Sequence, residues 1–168
     1  MNINIMKFIY VFFISMVPVI ELRGAIPIGL SPMWGDPLPV VPLYIVCILG
    51  NMIPMPLIYL FARKILIWGS EVKLPKWLKW VNSVFKFMLN KGEKAGKDIT
   101  KKTGRSVYVA LALFVGIPLP GTGGWTGALA SSILGLDFKK SIIAILIGIF
   151  LAGVIMGLVS SGIFSFVF

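Results

Sequence analysis

A charged pair, Glu21 and Arg23, lies inside an otherwise apolar stretch near the N-terminus of this 168-residue sequence. A charged side chain within a bilayer is costly unless it is paired, hydrated or used for function. The carboxyl group of Glu21 can bind and release a proton, whereas the guanidinium of Arg23 keeps its charge. The pair therefore predicts proton coupling by Glu21 and substrate binding by Arg23. The alternatives that the sequence leaves open are a structural ion pair and, if the hairpin is shallow, a position of both residues at the membrane interface.

A second motif, rich in glycine, precedes an apolar segment in the other half of the chain. A helix that begins there would turn its free backbone N–H groups and the positive end of its dipole toward a ligand. Glycine lets a ligand approach the backbone, threonine can cap the helix, and tryptophan offers an aromatic face. The predicted substrate-binding residues are Gly121, Thr122, Gly123, Gly124, Trp125 and Thr126. A tight turn that binds nothing is the alternative.

The composition indicates that most of the chain is surrounded by lipid. Hydrophobic residues make up 58% of the sequence and the mean hydropathy is +0.96, which the limited polar surface of a soluble domain could not accommodate. Sixteen basic residues oppose six acidic ones, but the basic residues lie between apolar runs. No nucleic-acid partner is therefore expected.

The residues of common catalytic and metal sites are missing from the sequence. It has no histidine, the usual metal ligand and the usual general base at neutral pH. Its single cysteine, Cys47, has no partner for a disulfide or for a thiolate metal site. We therefore expect the protein not to be an enzyme and to use no cofactor or metal.

Two apolar segments, residues 38–61 and 141–164, have the ~20 residues that a helix needs to cross a bilayer. Four other apolar segments are too short to cross, and these are residues 8–20, 25–34, 107–117 and 126–136. They come in pairs, so residues 8–34 and 107–136 are predicted to form re-entrant hairpins with the two motifs at their tips. An arrangement in which all four segments cross the bilayer stays open.

Each half of the chain has the same order, two short apolar segments followed by a long one. An offset of one hundred residues aligns Pro18 with Pro118 and Gly24 with Gly124. The predicted fold is an all-α integral membrane protein, an inverted repeat of two units that each contain a re-entrant helical hairpin and a transmembrane helix. The parts are repeat 1 (residues 1–61), a basic connector (62–105) and repeat 2 (106–168).

The distribution of basic residues predicts the orientation of the chain. Fourteen of the sixteen lie between Arg63 and Arg105 or at Lys139 and Lys140. The positive-inside rule places these segments in the cytoplasm, so the chain is predicted to be a multi-pass protein of the cell inner membrane with both termini outside. The hairpins then open to opposite sides, as in many secondary transporters.

The connector and the long segments carry further predictions. Residues 75–89 have apolar residues at helical spacing with lysines between them, which is typical of an amphipathic helix on the inner leaflet. Residues 91–105 are predicted to form a solvated link. Asn51 is predicted to bond carbonyl groups freed by a proline kink in the first span, with a position facing the cavity as the alternative. Gly153 and Gly157 form a small-residue face suited to packing within the monomer or in a homodimer.

Two motifs, ELRGAIP (residues 21–27) and PLPGTGGWTGA (residues 118–128), resemble those of the small multi-drug export protein family. The resemblance covers essentially the whole chain. Glu21 and Arg23 match the acidic and basic positions of the first motif, and residues 121–125 match the second. The architecture is similar to that of the wider DedA-like membrane proteins, whose paired re-entrant hairpins are associated with proton-dependent translocation of a lipid carrier.

Together, the residues and the resemblance predict a proton-coupled membrane transporter. It would move an anionic amphiphile or a lipid-phosphate carrier, or export small drugs. Its expected partners are membrane lipids, protons and a small amphipathic or anionic substrate. The alternative is a non-transporting membrane scaffold or lipid-organising factor, in which the surface helix of residues 77–89 would be the working part.

Overall fold

The computed structural model describes residues 3–18, 20–32, 36–72, 79–104, 106–119 and 121–167. Within these ranges the chain forms eight helical segments and no strand, which confirms the all-α prediction there. They are α1 (Ile3–Met16), α2 (Glu21–Leu30), α3 (Val40–Met52), α4 (Pro54–Glu71), α5 (Lys79–Thr103), α6 (Ser106–Gly116), α7 (Gly124–Ile133) and α8 (Phe138–Val167).

Two helical stretches of the described chain are long and apolar enough to cross a membrane. The first, Val40–Glu71, contains α3 and α4 and has 32 residues, and the second, Phe138–Ser160, has 23 residues within α8. Both exceed the ~20 residues that a hydrocarbon core requires. The two predicted spans are confirmed in position, although α4 continues past the predicted end at residue 61.

The outer surface of α8 is apolar. Ile143, Ile147, Phe150 and Val154 are exposed, and their spacing of three or four residues places them on one side of the helix. A continuous apolar face of this kind marks a surface that is covered by a partner or by lipid. Together with the two apolar spans, it indicates that lipid surrounds the protein.

The first span breaks at Ile53, between α3 and α4. Pro54 begins α4, and proline lacks the N–H group that would continue the hydrogen-bond ladder of α3. Asn51 does not repair this break. Its side chain is fully buried, and neither Oδ1 nor Nδ2 finds a hydrogen-bond partner among the described residues. The predicted repairing role is wrong, because the amide forms no hydrogen bond with a backbone carbonyl of the described residues.

The other apolar helices are short. α1 has 14 residues and α2 has 10, so a rise of 1.5 Å per residue makes them about 21 Å and about 15 Å long. α6 and α7 have 11 and 10 residues. All four are shorter than a hydrocarbon core of about 30 Å. The first tip, where α1 is followed by α2, comprises the described residues 17, 18 and 20–23. The second tip, where α6 is followed by α7, comprises residues 117–119 and 121–125, and each tip includes the first residues of the second helix.

The two halves of the chain are interleaved. α2 packs against α8 as well as against α1 and α3, and α7 packs against α4 as well as against α6 and α8. α2 and α7 thus contact the spanning helix of the other half, whereas α1 and α6 pack against the spanning helix of their own half. The buried core that joins them includes Leu22, Ala25, Ile26, Met55, Ala128, Ile145 and Ile149.

The connector contains a longer helix than the sequence predicted. α5 extends to Thr103, so the predicted link of residues 91–105 is helical over most of its length, while Lys94, Lys97 and Lys101 are exposed as a solvated segment requires. Tertiary contacts explain the difference: Glu93 forms a 3.0 Å ion pair with Arg63 of α4, and the buried Gly92 lies against Ile133 of α7. The start of the predicted surface helix, residues 75–78 with Trp77, lies outside the described residues.

The small-residue face of α8 is used inside the monomer. A β-carbon at Gly153 would stand 3.6 Å from the ring of Tyr44 in α3, and one at Gly157 would collide with the hydroxyl group of Tyr44. The glycines therefore let α3 and α8 approach each other closely.

Packing between α6 and α8 should depend on Gly148. A β-carbon there would lie 2.6 Å from the backbone oxygen of Ala112 and 2.6 Å from Cβ of Val115, so the helices would have to move apart. We expect Gly148→Ala to lower the free energy of unfolding by about 1–3 kcal/mol, measured by thermal unfolding in detergent. The matched variant Gly153→Ala, with ordinary contact distances, should leave the melting temperature nearly unchanged. Equal losses in both variants would contradict this account.

Candidate functional site

The two tips, far apart in sequence, meet in the folded chain. Glu21 is the first residue of α2, and its side chain is only 3% exposed. Its Oε2 accepts a hydrogen bond from the backbone N–H of Gly124 at 3.2 Å, and its Oε1 accepts one from the N–H of Trp125 at 3.1 Å. The carboxylate of the first tip therefore caps the N-terminus of α7.

The negative charge of the Glu21 carboxylate suits the N-terminal end of α7, where the carboxylate lies. The first N–H groups of a helix have no partner within the helix, and the aligned peptide dipoles make that end positive. A carboxylate satisfies both requirements at once, through hydrogen bonds that its charge strengthens. The contact explains why a charged side chain can be buried at this position.

Two backbone conformations hold the cap in place. Glu21 has a φ of +50°, the one positive φ of a non-glycine residue in the described ranges, a conformation that persists only where surrounding contacts enforce it. Gly123 has a φ of +131°, and a β-carbon on it would lie 2.8 Å from Oε1 of Glu21. Glycine is thus needed at position 123 both for its backbone conformation and for space.

The side chain of Arg23, which extends from α2, lies at the C-terminal end of α6. Its Nη1 donates to the backbone oxygen of Leu119 at 2.5 Å, and its Nη2 faces the backbone oxygens of Val115 at 3.1 Å and Ile117 at 3.2 Å. Nη2 also lies 3.0 Å from Oγ1 of Thr122. The last carbonyl groups of a helix lack partners and form the negative end of its dipole. Arg23 therefore caps the C-terminus of α6, as Glu21 caps the N-terminus of α7.

The two charged groups bond backbone groups rather than each other. The described part of the chain contains one ion pair within 4.0 Å, between Arg63 and Glu93. The structural ion pair between Glu21 and Arg23 that the sequence left open is therefore not formed. Instead, Glu21 bonds the N-terminal end of α7 and Arg23 bonds the C-terminal end of α6.

Most of the other predicted site residues join this contact. Thr122 lies beside Arg23, with its hydroxyl 2.7 Å from the backbone oxygen of Ile117. Trp125 donates from its indole Nε1 to the backbone oxygen of Met16, at the end of α1, at 3.2 Å. Gly124 is buried, and a β-carbon there would lie 2.8 Å from the sulfur of Met55.

Gly121 and Thr126 lie at the edge of this cluster. Both are exposed, and Gly121 has a φ of +86° with no atom within 4 Å of a β-carbon built on it. Gly121 therefore shapes the turn of the second tip without contacting the first tip. Thr126 lies within α7 with its side chain outside the contact between the tips.

A second buried polar contact, which the sequence analysis missed, joins α4 to α7. The hydroxyl of Ser132 donates to the backbone oxygen of Tyr59 at 2.8 Å, and the Tyr59 hydroxyl donates to the backbone oxygen of Leu136. The signal available in the sequence was the Ser131-Ser132 pair inside an apolar segment. The acceptors themselves are backbone groups, which no residue type marks.

The fold and this site define the class: an all-helical membrane protein in which buried charged side chains join the ends of two pairs of short helices. The sequence model of the family described as "Putative small multi-drug export protein" matches residues 21–155. This match covers more than half of the chain, so the protein belongs to that family, as the two motifs predicted. No curated protein and no solved structure gives a significant match.

The space between Gly123 and Glu21 can be tested with a pair of alanine variants. We expect Gly123→Ala to displace the Glu21 carboxylate and to lower the free energy of unfolding by about 1–3 kcal/mol more than Gly121→Ala does. Both glycines have positive φ, so the pair separates collision from backbone strain. Thermal unfolding in detergent measures the difference, and equal melting temperatures would contradict the cap.

The several hydrogen bonds of Arg23 predict that lysine cannot replace it. An ammonium group lacks the planar arrangement of donors that lets Arg23 reach carbonyl groups on both sides of a turn. We expect Arg23→Lys to cost about 1.5–3 kcal/mol of stability, the range for hydrogen bonds to charged groups. The control is Arg63→Lys, at a partly exposed ion pair, which should cost about 0–1 kcal/mol. A smaller loss at Arg23 than at Arg63 would refute the capping role.

Proposed function

We propose that this protein is a membrane transporter that moves a small anionic amphiphile and is coupled to protons through Glu21. The family's printed description, multi-drug export, supports transport as the general activity. The observation that carries the proposal is the position of the Glu21 carboxylate at the N-terminus of α7. Any other anion of suitable size would be stabilised by the same N–H groups.

The ionised carboxylate of Glu21 and the anionic substrate would then compete for the same N–H groups, and protonation of Glu21 would favour binding of the substrate. The ionised carboxylate of Glu21 accepts two backbone hydrogen bonds, and a proton taken up from one side of the membrane removes its charge. The N–H groups of Gly124 and Trp125 then become available to an anionic group of the substrate, with Arg23 beside it. Release of the proton to the other side restores the cap and expels the anion.

The arrangement of the helices supports an inverted repeat. α1, α2 and the α3–α4 span occur in the same order as α6, α7 and α8, and the contact of α2 with α8 corresponds to the contact of α7 with α4. The four short helices suit re-entrant hairpins that enter from opposite faces. The joined tips would then lie near the middle of the bilayer, where transporters of this kind bind substrate.

The basic residues support one orientation. A cytoplasmic connector, residues 62–105, would place both termini outside the inner membrane, with repeat 1 (residues 1–61) and repeat 2 (106–168) on either side.

An anionic substrate fits the site better than a cationic drug. The positive end of α7 and the guanidinium of Arg23 both attract negative charge. A cation would meet only Glu21, whose two oxygens already accept backbone hydrogen bonds. Small drugs with an acidic group therefore remain within the proposed substrate class, together with lipid-phosphate carriers.

Transport is favoured over catalysis because the charged groups of the site bond to helix ends. A nucleophile would need a neighbouring base within hydrogen-bonding reach, and Glu21 and Arg23 are engaged with backbone groups instead. We accordingly propose that the protein is not an enzyme and works without nucleic acid, metal or cofactor. The close contact of Gly153 and Gly157 with Tyr44 favours a monomer over a homodimer built on that face.

Flux through proteoliposomes tests the proposal. The probe is a fluorescently labelled short-chain phosphatidic acid in the inner leaflet, and its appearance outside is followed by chemical quenching with and without a pH gradient. We expect the gradient to accelerate movement by the natural protein. Glu21→Gln should remove the response to the gradient, because an amide cannot take up and release the proton. It should also reduce the rate by about tenfold or more, since the charge-assisted contact that it loses is worth about 1.5–3 kcal/mol.

The control for this experiment is Glu71→Gln, which removes an exposed carboxylate at the end of α4 and should leave the flux unchanged. A normal gradient response in Glu21→Gln would refute coupling through that residue. If the protein moves the cationic dye ethidium but not the lipid probe, the proposed substrate class changes from an anionic amphiphile to a cationic drug. If the natural protein moves neither probe, the scaffold alternative is favoured instead.

A further inference from the structure

We propose that the protein holds one anionic phospholipid at the junction of α5, α6 and α8, separate from the two tips. The phosphate group would lie among Lys97, Lys101 and Lys140, and one acyl chain would lie in a groove between α6 and α8. This inference rests on a different part of the molecule from Glu21 and Arg23, and it stands whether or not the protein is a transporter.

The acyl-chain part of the site is an open apolar groove of about 510 Å³ along α6 and α8. Its floor is made by Ala112 and Ala144, whose small side chains leave a depression between the helices, and its walls include Leu113, Ile147 and Leu151. The groove extends from Lys140 to Leu151, and a rise of 1.5 Å per residue makes that distance about 16 Å. An extended hydrocarbon chain fits a groove of this shape and polarity.

The headgroup part is a second cavity, of about 460 Å³, at the end of that groove. Lys97, Lys101 and Lys140 line it together with one acidic residue, Asp137. Lys97 and Lys101 are four residues apart on α5 and therefore lie on the same face of that helix. With three basic groups and one acidic group, the cavity favours an anion.

The carboxylate of Asp137 is already engaged in the fold. Its Oδ1 accepts a hydrogen bond from the backbone N–H of Lys140 at 2.9 Å and so caps α8. Its own N–H bonds to the hydroxyl of Tyr108 at 3.2 Å. This capping role explains why an acidic residue stands among lysines, and it leaves the basic groups to attract a ligand.

The two cavities form one amphipathic site, because both are lined by Tyr108 and Lys140. The Nζ atom of Lys140 lies 5.9 Å from the centre of the Tyr108 ring, at the boundary between the apolar and basic parts. A phospholipid with a negative headgroup matches this order of surfaces, and basic pockets beside membrane helices bind such headgroups. A soluble phosphate would fill the basic cavity alone and leave the apolar groove unexplained.

The position of the site along α8 is the one expected for a bound lipid. Lys139 and Lys140 come directly before the apolar stretch of α8, so Lys140 is expected at the level of the headgroups, with the groove extending into the acyl-chain region. Lys97, Lys101, Leu113 and Ile147 are exposed, and a lipid can therefore enter from the side without opening the protein.

Native mass spectrometry of the full chain tests this inference. The protein is mixed with equal amounts of dioleoyl phosphatidylglycerol and dioleoyl phosphatidylcholine, which differ only in the headgroup. We expect one phosphatidylglycerol to be retained in preference to phosphatidylcholine. The double substitution Lys97→Gln and Lys101→Gln should reduce that retention by about tenfold or more, given the contribution of each basic residue to binding anionic lipid.

A matched double substitution, Lys86→Gln and Lys94→Gln, removes the same charge from exposed positions elsewhere on α5 and should not change retention. Leu113→Trp, on the exposed wall of the groove, should reduce retention without removing charge.

Three results would overturn the inference. Equal retention of the two lipids would show that no headgroup site exists. If both lysine double variants lost the same amount of bound phosphatidylglycerol, general surface charge rather than a specific site would explain the retention. Normal retention in Leu113→Trp, together with displacement of the lipid by inorganic phosphate, would indicate a phosphate site that uses no acyl chain.

Discussion

The ends of helices inside a bilayer must find hydrogen-bond partners within the protein, because lipid supplies none. Three helix ends meet at the tips of this chain and are bonded there by side chains. Glu21 bonds the first N–H groups of α7, Arg23 bonds the last carbonyl groups of α6, and Trp125 bonds the last carbonyl of α1. Each of these three partners comes from the other helix pair, and Thr122 adds hydrogen bonds within the second tip itself. The contacts between the tips therefore link the two halves of the protein.

This mutual capping also joins stability to the proposed function. Glu21 and Arg23 are separated by one residue and carry opposite charges, and each lies at the helix end that its charge favours. The N–H groups that stabilise the fold are the same groups that could bind an anionic ligand. A substrate that enters must therefore replace a contact that the closed protein already makes. Such an exchange keeps the two states close in free energy, which a transporter requires.

Segment length and charge pattern predicted the two spans, the short helices and the residues at both tips, because these follow from local composition. What joins the tips could not be predicted, since the partners of Arg23 are backbone carbonyl groups that any residue type can provide. The end of α5 was missed for a related reason. Its glycines and charges predict a loop locally, whereas the contacts of Gly92 with α7 and of Glu93 with α4 hold it in a helix. Tertiary packing overrides local propensity there.

Asn51 marks a position where the packing of the helices is destabilising. Its side chain is fully buried beside the break in the first span, and its amide has no hydrogen-bond partner among the described residues. A buried polar group without a partner is destabilising by about 1–3 kcal/mol. The Nε atom of Arg23 is in the same position. Both groups lie where a helix is interrupted, Asn51 beside the break at Ile53 and Arg23 at the end of α6. The polar cost therefore falls at the points where the backbone leaves regular helical geometry and its own groups also need partners.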